Sequence, residues 1–315
     1  MTPWRENEVI QNIPSTGSFY CSIVELSMAA PNNKTLIPGE SVTLCDQDGG
    51  VKDEDKKPEV SNQRKSVGEQ NLVSAFKQMK LEREAQKNWD LFYKRNATNF
   101  FKDRHWTSRE FDELKTCRQS ESQKLVLLEA GCGVGNCIFP LLEEECNIFV
   151  YACDFSPRAV DFVKKNPLCH PERCAVFQCD LTHDDLRDNI PEGCVDAAML
   201  IFVLSAIHPE KMASAVRNIH TVLKAGGVVL FRDYGVHDHA MRRFKASSKL
   251  ADNFYVRQDG TRSYFFSKDF LAALFSEAGF CCITIEYVQR ETVNKKEGLC
   301  VPRVFLQAKF TKRES

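Results

Sequence analysis

The sequence predicts an α/β fold: a seven-stranded, mostly parallel sheet with helices on both faces, an antiparallel edge hairpin and an N-terminal helical extension. Three observations carry this reading. From residue 125 onward, short apolar runs alternate with stretches of helical periodicity. The first run, Leu125 to Glu129, breaks into glycines at 131, 133 and 135. The last two runs, 281–288 and 303–310, follow each other by a short link with no helix between them. Parallel neighbours need a crossover, whereas a link without a helix joins antiparallel ones.

Residues 1–67 carry Pro, Asn, Ser, Gly and a charged run from Lys52 to Glu59, and offer too little apolar surface to offset ordering entropy. They are expected to be a disordered extension. Residues 68–123 read as a helical region that covers a cofactor and binds RNA. There Leu72, Phe76, Met79 and Arg83 fall at helical spacing, and the pattern continues through Trp89, Leu91, Phe92 and Tyr93. A further helix start is expected at Thr107 or Ser108. Residues 124–312 form the α/β domain, with strands expected at 125–130, 148–153, 174–179, 194–202, 227–233, 281–288 and 303–310. Helices are expected at 136–145, 157–165, 209–224 and 267–278, and Lys224-Ala-Gly-Gly227 reads as a helix C-cap leading into the fifth strand. An insert at about 236–266 interrupts the domain, and Arg257-Gln-Asp-Gly-Thr-Arg262 within it reads as a hairpin with an Asp-Gly turn.

Composition bounds the function. The 315 residues are 27% charged and 43% hydrophobic, which suits a soluble protein, expected to be monomeric in isolation. No stretch approaches the roughly 18 apolar residues of a membrane helix, so no membrane partner is expected. Glu6 and Glu8, with no apolar core before Gln11, argue against a secretory signal, and an Arg-rich, acid-poor import segment does not fit either. The 14 cysteines scatter without a Cys-x-x-Cys pair, as reduced thiols of a cytoplasmic or nuclear protein would. His237-Asp-His239 has no further clustered ligands, and no metal is expected. The net charge of −1 leaves any RNA grip to local basic patches.

Four constellations carry the chemistry. Gly131, Gly133 and Gly135 follow the first strand, where backbone can approach a ligand closely because no Cβ intervenes. Asp154 ends the second strand and suits a ribose diol, Asp180 ends the third and suits an adenine amino group beside Leu181, and Ile201 leads the pocket floor after the fourth. A turn or cap role is the alternative for Asp154 alone. Phe231-Arg-Asp-Tyr-Gly235 leaves the fifth strand. Asp233 there could stabilise the cation formed when a neutral ring nitrogen is methylated, and Tyr234 could stack on a base. Its alternative is a structural Arg232–Asp233 pair. Arg242, Lys245, Lys249, Arg257 and Arg262 interleave with aromatics, as suits unstacked RNA bases, or else decorate an ordinary insert. Trp89 and Tyr93, one helical turn apart, could close over a sulfonium, with Lys102, Arg104, His105 and Arg109 positioned for RNA.

The spacing Glu129-Ala-Gly-Cys-Gly-Val-Gly135 lacks the Gly-x-x-Gly step of the pyrophosphate fingerprint and resembles the first motif of class I, Rossmann-like methyltransferases, whose ligand is S-adenosylmethionine. Trp89-Asp-x-Phe-Tyr93, Phe100-Phe-Lys-Asp-Arg-His-Trp106, Cys153-Asp-Phe-Ser156, Leu200-Ile-Phe-Val-Leu-Ser-Ala206, Phe231-Arg-Asp-Tyr-Gly235 and Asn253-Phe-Tyr-Val-Arg-x-Asp-Gly-Thr-Arg262 extend that likeness. Together they resemble the eukaryotic tRNA 3-methylcytidine methyltransferases over roughly residues 73–310. The resemblance implies methyl transfer to N3 of an anticodon-loop cytidine in serine tRNA, with seryl-tRNA synthetase as partner. It also implies cofactor contacts from Trp89, Tyr93, Gly131, Asp154, Asp180, Leu181 and Ile201. The first sixty-odd residues match nothing in that family. Since fold does not fix substrate, a small-molecule or protein methyltransferase and a cofactor-binding scaffold are the rival readings.

Overall fold

The computed structural model describes residues 72–116, 124–144, 147–294 and 299–314, so the disorder expected for 1–67 lies outside the described residues. Two helices, α1 (Ala75–Arg83) and α2 (Ala85–Asn96), meet at Glu84 and lead to the short turns α3 (Thr107–Glu110) and α4 (Asp112–Thr116). The alternating region then runs β1 (Leu125–Ala130), α5 (Ile138–Glu143), β2 (Ile148–Asp154), α6 (Pro157–Lys164), β3 (Cys174–Gln178), β4 (Val195–Ile201), α7 (Pro209–Val222) and β5 (Leu223–Tyr234). An insert follows with α8 (His239–Arg243), β6 (Lys249–Ala251), β7 (Phe254–Val256) and β8 (Arg262–Tyr264). Helix α9 (Lys268–Glu277) leads to the long strands β9 (Phe280–Asn294) and β10 (Leu299–Lys312).

The seven-stranded sheet has the order β3-β2-β1-β4-β5-β10-β9. Strands β1 to β5 pair in parallel, and β10 runs antiparallel to both β5 and β9. The chain therefore leaves β1 toward one edge and returns to β4 on the other side. That reversal opens a crevice at the C-terminal strand ends, where ligands of such sheets sit. The insert's strands form a separate sheet in the order β6-β7-β8.

Strand alternation divides the core between the two faces. Leu128, Val229 and Phe231 join α7 and α9 in one buried cluster, while Leu127, Met199 and Leu230 join α5 and α4 in another. Helix starts follow local chemistry: Ser156 caps α6 by accepting from the Ala159 N–H with Pro157 at the first position, and Ser267 caps α9 by accepting from the Phe270 N–H.

Two expectations needed revision. Lys224-Ala-Gly-Gly227 is not a helix C-cap. Leu223 already pairs with Val195, Val228 with Ala197, and the four residues between bulge out of β5 with Gly226 at φ +73°. The helical pattern read from Leu72 through Tyr93 is not one helix: Leu72 lies before α1 in a bridge to Lys249, and Glu84 divides the rest into α1 and α2.

Phe275 and Phe310 stack face to face at 3.9 Å in the core beneath the edge hairpin, both fully buried. Phe310→Ala is expected to cost about 3–5 kcal/mol, measured as a lowered urea midpoint at unchanged slope.

Candidate active site

The end of β1 turns through three left-handed glycines: Gly131, Gly133 and Gly135 at φ +74°, +54° and +92°. The N–H groups of Gly131 and Cys132 both donate to the Cys153 carbonyl at 2.8 Å, which folds the loop onto the end of β2. Space is as limiting as backbone angle. A Cβ would lie 2.2 Å from Phe139 at Gly135, 2.6 Å from Val203 at Gly131 and 3.0 Å from the Tyr93 hydroxyl at Gly133.

Asp154, the last residue of β2, holds this turn. One carboxylate oxygen accepts from the Gly133 N–H and the other from the Ser156 N–H, each at 2.9 Å. The side chain is buried, and burial lifts its pKa to about 6 against those two donors. Each carboxylate oxygen has a second acceptor position, so both remain able to take a sugar hydroxyl.

Helix α2 covers the loop. Trp89 and Tyr93 lie 6.0 Å apart between ring centroids and pack with Phe92, Val134 and Ala159. Asp90, between them, accepts from the Ser156 hydroxyl at 2.9 Å and the Arg158 N–H at 3.2 Å, which fastens α2 to the start of α6. Ile201, which ends β4, and Leu181, just past the end of β3, are both buried. Asp180 closes an Asx turn, one oxygen accepting from both the N–H and the hydroxyl of Thr182.

Glu129 was not among the expected site residues, yet it sits beneath the glycine loop. It is 3% exposed, Oε2 has no hydrogen-bond partner among the described residues, and burial raises its pKa to about 7. Arg104, expected on RNA, turns inward beside it. Its guanidinium donates to the Ile201 carbonyl at 3.0 Å and lies 4.9 Å from the Phe202 ring centroid. An orphan carboxylate oxygen next to a guanidinium suits the ammonium and carboxylate of an amino acid. A pyrophosphate placed there would meet Glu129 instead. These residues therefore fit S-adenosylmethionine, with Asp154 for the ribose and the Glu129–Arg104 pair for the methionine end. The signal was present in the sequence: Glu129 opens the glycine motif.

Across the crevice, Arg232 and Asp233 alternate to opposite faces of β5 and do not pair with each other. Arg232 forms an ion pair with Glu110, which also accepts from Arg290 at 2.8 Å, and stacks 4.2 Å over Trp106. Asp233 is fully buried; it accepts from the Ser205 N–H and the Tyr234 N–H, each at 2.9 Å, and burial raises its pKa to about 6. Tyr234 is half-buried between Phe202 at 5.2 Å and Phe265 at 5.7 Å, with the guanidinium carbons of Arg257 and Arg303 each 5.8 Å from its ring. Phe202 holds φ +60°, an uncommon conformation for an aromatic residue, at the turn after β4. Arg303 is fixed by a buried ion pair with Asp238, its Nε–H shared between the two carboxylate oxygens at 2.9 and 3.2 Å. Their separation of 65 residues hid that pair from sequence reasoning, and it explains the Asp of His237-Asp-His239.

The basic residues divide. Lys102, His105, Arg109, Arg242 and Lys245 are exposed, and half-buried Lys249 pairs with Asp252 at 2.7 Å. Arg257 instead braces its own hairpin, donating to the Arg262 carbonyl at 2.8 Å and the Ser263 hydroxyl at 3.0 Å. Arg262 is buried and ion-paired to Glu82, so the RNA contact expected of it is corrected to a structural role.

Comparison with known proteins accords with this geometry. A methyltransferase-domain family model matches residues 128–229. The tRNA N(3)-cytidine methyltransferase METTL6 of Rattus norvegicus is 72% identical over 253 residues, covering 80% of this chain and 88% of the relative. METTL6 of Homo sapiens is 72% identical over 244 residues, covering 78% and 86%. The tRNA N(3)-methylcytidine methyltransferase trm141 of Schizosaccharomyces pombe is 44% identical over 245 residues, covering 76% and 97%. A SAM-dependent methyltransferase of Anabaena variabilis shares the fold at a TM-score of 0.51 and 13% identity, covering 72% of this chain and 95% of that one. The chain belongs to the tRNA N(3)-cytidine methyltransferase family.

Proposed function

We propose that the protein methylates N3 of an anticodon-loop cytidine in serine tRNA, using S-adenosylmethionine, in the cytoplasm or nucleus and with seryl-tRNA synthetase as partner. The observation that carries this reading is the buried carboxylate of Asp233 at the C-terminal end of β5, next to Tyr234 and at the same end of the parallel sheet as the glycine loop.

When bound, S-adenosylmethionine supplies a methyl group activated by its sulfonium. The N3 lone pair of cytosine needs no base to release it, so the protein has no proton to remove before attack. As the N–C bond forms and the C–S bond breaks, positive charge moves onto the pyrimidine. Asp233, ionised above about pH 6, faces that charge from a low-dielectric position where fixed electrostatics are strongest. Because the carboxylate is fully covered, it acts through space, and the contact with the base falls to Tyr234 and Phe202. N3 lies on the Watson–Crick edge and is reached only in an unpaired or flipped nucleotide, which a loop supplies at little cost. Lys102, His105, Arg109, Arg242 and Lys245 are exposed and available to phosphates.

The test is methyl transfer from labelled S-adenosylmethionine into total tRNA, with and without seryl-tRNA synthetase, followed by nucleoside analysis. 3-Methylcytidine in serine tRNA, increased by the synthetase, is expected; label in any other nucleoside would overturn the assignment.

Asp233→Asn is expected to bind S-adenosylhomocysteine within about twofold of wild type while kcat falls by about 10²–10³. Retained turnover in that variant would remove Asp233 from the chemistry. Asp154 accepts from a ribose diol on both oxygens, beside its two backbone donors, best as a carboxylate, so cofactor binding draws its pKa below the free value of about 6. Affinity for S-adenosylhomocysteine therefore rises as pH increases through about 6, and Glu129, free at about 7, adds to the same trend by attracting an ammonium. Asp154→Asn should weaken binding at neutral pH and flatten the lower part of that profile in calorimetric titration.

A further inference from the structure

The helices that cover the glycine loop are tied at three points to the insert hairpin, and none of the three uses a residue of the cofactor site. Glu82 on α1 is ion-paired to the buried guanidinium of Arg262 on β8, and to Lys211 of α7. Asn88 on α2 donates to the Gly260 carbonyl at 3.2 Å, at the tip of the β7–β8 turn. Arg95, two turns further along α2, lies 3.7 Å from Asp259. Gly260 holds φ +84°, and a Cβ there would come within 2.8 Å of Asn88, so the turn is seated closely on the helix.

Two of these ties lead on toward the reacting end of the crevice. Beyond Glu82, Arg262 donates to the Ala206 carbonyl at 3.3 Å. Ala206 closes the turn Leu204–Ala206, and the Ser205 N–H of that turn holds the Asp233 carboxylate. From the hairpin tip, the Gly260 N–H donates to the Arg257 carbonyl at 3.1 Å, and the Arg257 guanidinium lies over Tyr234. On the opposite side, α2 presents Trp89, Asp90 and Tyr93 to the glycine loop and α6. One rigid helix thus carries cofactor-facing side chains on one face and hairpin-facing side chains on the next.

We infer that Glu82 and Asn88 are positioning residues that couple closure over the cofactor to assembly of the Asp233–Tyr234–Arg257 base site. The inference rests on the cofactor reading of the Trp89–Tyr93 face. A cover held by its ligand holds the hairpin through Glu82–Arg262 and Asn88–Gly260, so cofactor binding orders the surface that receives the nucleotide, and by reciprocity the nucleotide favours cofactor binding. Neither residue reaches the reacting atoms.

The experiment is amide hydrogen exchange on the full chain with and without saturating S-adenosylhomocysteine, so no tRNA is needed. Wild type is expected to show several-fold slower exchange on ligand addition both in 85–96 and in 254–264. In Glu82→Gln and in Asn88→Ala, protection of 85–96 should persist while that of 254–264 is lost, and KM for tRNA should rise several-fold with a smaller change in kcat. Asn88→Ala removes a half-buried hydrogen bond and leaves the ion pair intact, so it serves if the charge variant fails to fold. Hairpin protection that survives in Asn88→Ala, or never appears in wild type that binds the ligand, overturns the coupling alone. Wild type that does not bind S-adenosylhomocysteine overturns the cofactor reading, and the coupling with it.

Discussion

Everything at the functional edge depends on how the Asp154 carboxylate and the Cys153 carbonyl hold the glycine turn. Two N–H groups of the loop converge on Cys153 and a third on Asp154, so the loop can neither rise from the sheet nor continue as a strand. The Ser156 N–H then binds the other Asp154 oxygen and places Ser156 as the cap of α6. Ser156 in turn donates to Asp90 of the covering helix. A single residue at the end of β2 thereby fixes the loop, the next helix and the cover. This is why a substitution at Asp154 would not be a purely local loss of a ribose contact.

The electrostatics of that edge are unusual in direction. Three buried carboxyls, Glu129, Asp154 and Asp233, all titrate above the ordinary range because burial penalises their charged forms. Burying three acids with only the Arg104 and Arg257 guanidiniums acting on two of them is unfavourable for the free protein. The cost makes sense if what arrives is cationic. A sulfonium, an ammonium and a cytosine acquiring positive charge each lower the energy of a nearby carboxylate. The inward guanidinium of Arg104 prevents the site from being uniformly negative and gives the amino-acid carboxylate its counterpart.

The legible parts of the molecule were those governed by local rules. Strand β1 was read to the residue and most helices to within two, because apolar periodicity, Gly turns and Ser caps act over a few positions. The Asp-Gly hairpin turn was legible for the same reason. What could not be read was direction. Arg104, Arg257 and Arg262 look like RNA-binding residues in a basic, aromatic stretch, and only tertiary partners turn them inward: Ile201, Ser263 and Glu82 are each distant in sequence or on another strand. The β5 bulge escaped because Lys224-Ala-Gly-Gly227 satisfies the sequence rule for a helix end as well as that for a bulge. Glu129 stands within the glycine motif, and only the fold shows that its carboxyl is buried with one oxygen lacking a partner among the described residues.

The inward turn of those arginines bears on how RNA would be held. Of the nine basic residues marked for RNA, Arg104, Arg257 and Arg262 are turned into internal braces, and in a protein of net charge −1 the remaining ones face as many acids as bases overall. Affinity from counterion release scales with the number of phosphates neutralised, so each guanidinium turned inward is one phosphate contact fewer. The braces have a compensating effect: they tie the hairpin to the covering helix α1 and to its own strands, which reduces the ordering lost when a flipped base enters. The architecture therefore favours precision at the reacting nucleotide over strength along the tRNA. A hold along the rest of the tRNA is what the proposed synthetase partner would add.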